Sequence, residues 1–172
     1  MDELGCFVTD GDFIDHKIRP LVFQFQSRES IGTKFKLFTR RNRDEPVELI
    51  AKDIYKLNEK AFDPKLETKV IVHGFLEFWL ASPSWYTDMT KNFLDVGDYN
   101  VIQVQWSGGN FFPYTRAAAN TRIVGAEIAL LFKKLKVTKG LFKKCDLMFI
   151  LKLVASCYWN ETISCCVSIT VF

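Results

Sequence analysis

Residues 31–41 alternate, with Phe35, Leu37 and Thr39 on one side and Lys34, Lys36 and Phe38 on the other. Period two is the pattern of a half-buried strand. A charged turn, "RNRDEP", then leads into a second short extended piece at "VELI". "KVIVHGF" at 69–75 is instead a continuous apolar run of strand length, as expected of a strand covered on both faces. Next, Tyr86, Met89 and Phe93 share one helical face. Ser82 or Ser84 can cap that helix, Pro83 suits its first turn, and Gly97 can stop it. Period two returns in "NVIQVQW", with Ile102, Val104 and Trp106 on one face, and "SGGN" breaks the strand. Beyond an aromatic loop, "FFPYTRAAAN", the segment "TRIVGAEIALLFKKLK" puts Val124, Ile128, Leu131 and Leu135 on one face of an amphipathic helix.

Strand, helix, strand, helix with short connections predicts an α/β fold with a largely parallel central sheet. Residues 1–30 show no sustained period and read as loop with short extended pieces. Past Lys136 the character changes. Residues 137–172 hold two apolar pieces, Lys152 within the first, and four cysteines, which predicts an atypical cysteine-rich tail after a domain at 1–136. Neither piece reaches the roughly twenty apolar residues of a bilayer span, so no transmembrane segment is expected. Asn160-Glu161-Thr162 is formally a glycosylation acceptor.

At 172 residues the chain suits one domain with a real core, and 48% hydrophobic with 25% charged residues places it among globular proteins. The net charge of +3 lends a nucleic-acid partner no support. Lysines at 133, 134, 136, 139, 143 and 144 can meet an anionic surface or, more simply, form the solvated side of a helix end, where positive charge suits the dipole. The cysteines at 6, 145, 157, 165 and 166 form no C-x-x-C pair, which argues against a zinc or thioredoxin-type site, and no cofactor is expected. "MDELGCF" has neither the basic start nor the apolar run of a signal peptide.

"VIVHGF" ends where strand carboxyl ends open into a crevice, the reactive side of an α/β sheet. His73-Gly74 has two readings. In one it is a strand-ending turn with a satisfied core histidine. In the other, Gly74 lets the backbone turn and the Phe75 N–H faces a negative oxygen, as one donor does in acyl-transfer sites. A nucleophile to accompany it is not found in these residues: no serine follows a glycine by two positions, so the G-x-S-x-G elbow does not occur. The two histidines, His16 and His73, make poor general bases, one in irregular chain and the other used by the turn. "WSGGN" lacks phosphate-loop spacing and reads as a turn.

Five ordered blocks resemble the pancreatic-lipase family of secreted lipases and phospholipases A1. They are "ELGCF" at 3–7, "TKFKLFTRRN" at 33–42, "TKVIVHGF" at 68–75, "YNVIQVQW" at 99–106 and "YTRAAANTRIVGAEIALLF" at 114–132. The resemblance implies a partial α/β-hydrolase fold with Phe75 as an oxyanion-hole donor, shaped by His73 and Gly74. It also implies structural roles for Asn120, Arg122 and Gly125, an extracellular location, and a lipid ester or lipid surface as partner. By the same resemblance Cys6 would pair with a cysteine shortly before Met1. Gln105 departs from the acidic residue that the family often places before the tryptophan.

After the long helix the family runs through a strand into G-H-S-L-G, whereas this sequence reads "KGLFKKCDLMFILKLVASCYW". The expectation is therefore a lipase-family chain truncated before the nucleophile elbow, with residues from about 137 onward outside the family's reading frame. Such a chain lacks the Ser, Asp and His of the triad, leaves its sheet edge open and is inactive by itself. A non-catalytic lipid binder, like the family's yolk-protein relatives, is the alternative. A membrane-surface protein using its basic, aromatic C-terminal part is a further one.

Overall fold

The structure is a computed structural model that describes residues 2–7, 25–56, 61–77, 84–139, 145–149 and 167–171. His16, Ser82, the Asn160 sequon and Cys157, Cys165 and Cys166 lie outside the described residues. A short helix α1 (Arg28–Ile31) starts at Ser27, whose hydroxyl accepts from the Ser30 N–H, and ends at Gly32 in the left-handed conformation (φ 59). That cap geometry favours glycine. Strands β1 (Lys34–Phe38) and β2 (Val47–Leu49) follow, then a 3-10 segment at Ala51–Lys56 and strand β3 (Glu67–Val72). Helix α2 (Ser84–Val96), strand β4 (Tyr99–Gln105) and helix α3 (Tyr114–Lys139) complete the alternation, with β5 (Cys145–Phe149) and β6 (Val167–Val171) beyond it.

The strands form one six-stranded sheet in the order β2-β1-β4-β3-β5-β6. The sheet is mixed, and the expectation of a largely parallel one holds in part: three of the five strand pairings are parallel. β1 runs antiparallel to both β2 and β4, whereas β4-β3, β3-β5 and β5-β6 are parallel. Hydrophobic period reports burial on each face and carries no information about strand direction, so the antiparallel edge was invisible to it. Beyond β3 the sheet continues through β5, paired from Thr68↔Cys145 to Val72↔Phe149, and β6.

Two helices cover opposite faces of the sheet. One face carries Phe35, Leu37, Val70, Val72, Ile102 and Val104, which cluster with Val124, Ile128, Leu131 and Leu135 of α3. The other carries Ile71 and Val101, which cluster with Tyr86 and Leu94 of α2. The continuous apolar run of β3 is thus explained: Val70 and Val72 point to one helix and Ile71 to the other. Leu131 is fully buried, and its truncation to alanine would cost about 2–5 kcal/mol.

Both helices differ in detail from the expected ones. On α2 the buried stripe is Tyr86, Thr90 and Leu94, with Met89 and Phe93 packed at its margin. α3 begins at Tyr114 rather than near Thr121, since Ala117, Ala118 and Ala119 favour helix. The Arg116 and Ala117 N–H groups donate to the Pro113 carbonyl at its first turn. Cys6 is exposed and unbridged among the described residues. No helix of the described residues is long and apolar enough to cross a membrane.

Candidate functional site

The carboxyl ends of the parallel neighbours β3 and β4 lie side by side, so His73 and Trp106 leave the sheet together. The His73 side chain is completely buried. Its Nε2 accepts from the Trp106 backbone N–H at 2.9 Å, and the Trp106 indole Nε1–H donates to the His73 carbonyl at 2.8 Å. The rings stack with centroids 5.5 Å apart and planes 16° from parallel. Because Nε2 accepts, the ring proton sits on Nδ1, which donates to the Gly74 carbonyl at 3.1 Å. Burial lowers the imidazole pKa to about 4, against a smaller upward push from the Gly74 carbonyl. His73 is therefore a neutral, satisfied strut and is not available as a base at neutral pH.

Residues 74–77 form the turn that follows. The Gly74 N–H donates to Glu77 Oε2 at 2.7 Å, and the Leu76 N–H donates to the Asn110 carbonyl at 2.9 Å. The left-handed backbone of this turn falls on Leu76 (φ 62). Between them stands Phe75, whose N–H has no acceptor among the described residues. Its half-buried ring meets Phe112 and Tyr114 edge-on at 5.3 and 5.2 Å, and Phe112 also meets Phe111. These rings make a partly exposed aromatic rim around the turn.

The turn is held from the loop after β4. Asn110 is buried and its amide nitrogen donates to the Gly74 carbonyl at 3.1 Å and the Glu77 carbonyl at 2.5 Å. Gly108 sits where a Cβ would meet the Ser30 carbonyl oxygen at 2.3 Å, so only glycine lets this loop approach the end of α1. Buried Asn120 of α3 closes the arrangement, donating to the Gly109 carbonyl at 2.9 Å and exchanging hydrogen bonds with Gln26. "WSGGN" is a turn as expected, but its asparagine is a site residue that sequence reasoning missed. The available signal was an asparagine directly after two glycines, a loop residue with donors to spare.

A family model described as Lipase matches residues 1–144. The chain belongs to the lipase family. It is 37% identical over 139 residues to the pancreatic triacylglycerol lipase of Mus musculus, covering 81% of this chain and 29% of that protein. It is 37% identical over 128 residues to the inactive pancreatic lipase-related protein 1 of Homo sapiens, covering 74% of this chain and 27% of that protein. The pancreatic lipase-related protein 2 of Cavia porcellus is 33% identical over 135 residues, 78% of this chain and 31% of that protein. The lipase-family chain thus spans about three tenths of the length of the curated relatives it matches. Relatives named as lipases and as inactive match comparably, so membership alone does not decide turnover.

Of the expected residues in this lipase-family chain, His73, Gly74 and Phe75 stand together at the sheet's carboxyl edge. Asn120 has the structural role expected of it. Arg122 lies over the Phe7 ring at 5.7 Å, tying α3 to the N-terminal segment. Among the described residues no group of His, Cys, Asp or Glu side chains could hold a metal ion.

Proposed function

We propose that this chain carries the oxyanion-binding side of a lipid-ester hydrolase of the α/β-hydrolase fold, acting extracellularly by Ser-His-Asp acyl transfer on a triacylglycerol or phospholipid ester. One observation carries the reading: the Phe75 N–H has no acceptor among the described residues and is presented by a turn fixed on either side, through the Gly74 N–H and carbonyl, the Leu76 N–H and the Glu77 carbonyl. A tetrahedral acyl intermediate concentrates charge on one oxygen, and a fixed N–H aimed there stabilises it without reorganising. The aromatic rim of Phe75, Phe112 and Tyr114 offers an apolar surface suited to a lipid chain. The G-x-S-x-G elbow does not occur within the 172 residues, so by themselves they form no acyl-enzyme.

Two assays test this. The chain alone is expected to leave tributyrin intact, and steady turnover would contradict that part of the reading. Spliced in place of the matched segment of the mouse relative, the chain is expected to support hydrolysis. There Phe75→Pro, which removes the N–H, should lower kcat by about 10²–10³ relative to Phe75→Ala. Equal kcat in the two folded variants would rule out Phe75 as the donor.

A further inference from the structure

We infer that Asn110 is a positioning residue for the Phe75 N–H, an inference that rests on the oxyanion reading above. The Gly74 carbonyl and the Phe75 N–H belong to one peptide unit, which is planar and trans, so the direction of the carbonyl sets the opposite direction for the N–H. Two donors hold that carbonyl: Nδ1–H of His73 at 3.1 Å and the amide nitrogen of Asn110 at 3.1 Å. The second Asn110 N–H reaches the Glu77 carbonyl at the far end of the turn, and the Asn110 backbone carbonyl accepts from Leu76. One residue therefore grips the turn on both sides of the Phe75 N–H.

The grip acts against a specific alternative. Rotation of the Gly74–Phe75 peptide would exchange the carbonyl and the N–H, turning a donor site into an acceptor that repels an oxyanion. With its carbonyl held twice, the peptide has to break both hydrogen bonds to rotate. The amide orientation of Asn110 is itself determined, since the flipped side chain would place its oxygen against two carbonyls. A carbonyl that accepts two hydrogen bonds also polarises its peptide, which strengthens the N–H as a donor. His73 has further partners in Trp106 and contributes to the strand end as well as to the turn, so Asn110 is the cleaner test.

The test uses 15N relaxation on the full 172-residue chain. In Asn110→Ala the Phe75 amide order parameter is expected to fall from about 0.85 to below about 0.6, while Val70 and Val104 keep their values. Should Asn110→Ala fail to fold by circular dichroism, Asn110→Ser takes its place, because one hydroxyl cannot donate to both carbonyls. In the spliced hydrolase the same variant should lower kcat about tenfold with KM within twofold, the pattern of an interaction used in the transition state. A folded variant whose Phe75 amide stays as rigid as Val70 overturns the inference and leaves the oxyanion reading intact. If Phe75→Pro matches Phe75→Ala in kcat, the oxyanion reading has failed instead, whatever the relaxation data show for Asn110.

Discussion

Acid should weaken this fold through His73. Burial holds its folded pKa at about 4, below the ordinary 6.5, so the unfolded chain takes up a proton in a range where the folded chain does not. The stability carried by a neutral His73 is complete above pH 6.5 and is lost as pH falls toward 4. The difference amounts to ~3 kcal/mol near pH 4 and about 2 kcal/mol at pH 5. His73→Phe keeps an aromatic ring against Trp106 and removes the titration. At pH 7 it leaves the Trp106 N–H without its acceptor, a cost of about 1–3 kcal/mol, while the Gly74 carbonyl keeps Asn110. Urea unfolding of both proteins at pH 7, 6 and 5 gives the free energies. The wild-type advantage at pH 7 is expected to shrink by about 2 kcal/mol at pH 5. An advantage constant to within about 0.5 kcal/mol would refute the argument, since the titrating group would then lie elsewhere.

Three further outcomes follow from the packing. Gly108→Ala forces its Cβ against the backbone oxygens of Ser30 and Ile31 at 2.3 and 2.7 Å, and thermal unfolding should show a loss of at least about 1–3 kcal/mol. Arg28 meets Glu127 through two hydrogen bonds in a mostly buried pair that joins α1 to α3, and the carboxylate raises the guanidinium pKa. Glu127→Gln should therefore lower stability by about 1–3 kcal/mol, with Arg28→Ala, Glu127→Gln and the double variant closing a coupling cycle. Tyr86 lies in the α2 face with its hydroxyl 2.8 Å from the Val104 carbonyl and 3.1 Å from that of Ile71. Burial raises its pKa well above 10, so its phenol should remain un-ionised at pH 10 by ultraviolet titration of the folded chain. Tyr86→Phe should cost about 1 kcal/mol in urea unfolding.

The sequence by itself determined the elements whose burial is written in their period. The alternation at Phe35 and Leu37, the unbroken run before His73 and the stripe from Val124 to Leu135 each mark a face that must leave water. It also determined the family, through ordered blocks that include the His-Gly-Phe turn. Period two says which side chains are buried and nothing about which way a neighbouring strand runs, so the antiparallel β2-β1-β4 edge was decided only in three dimensions. The pairing of β5 with β3 was decided there as well, because it depends on a parallel partner far along the chain. So was the site. Asn110 lies 33 residues from Glu77 in sequence and meets its carbonyl only because β3 and β4 end side by side. A side-chain amide has no periodicity of its own, and its partners are set by the backbone groups that tertiary packing leaves facing it.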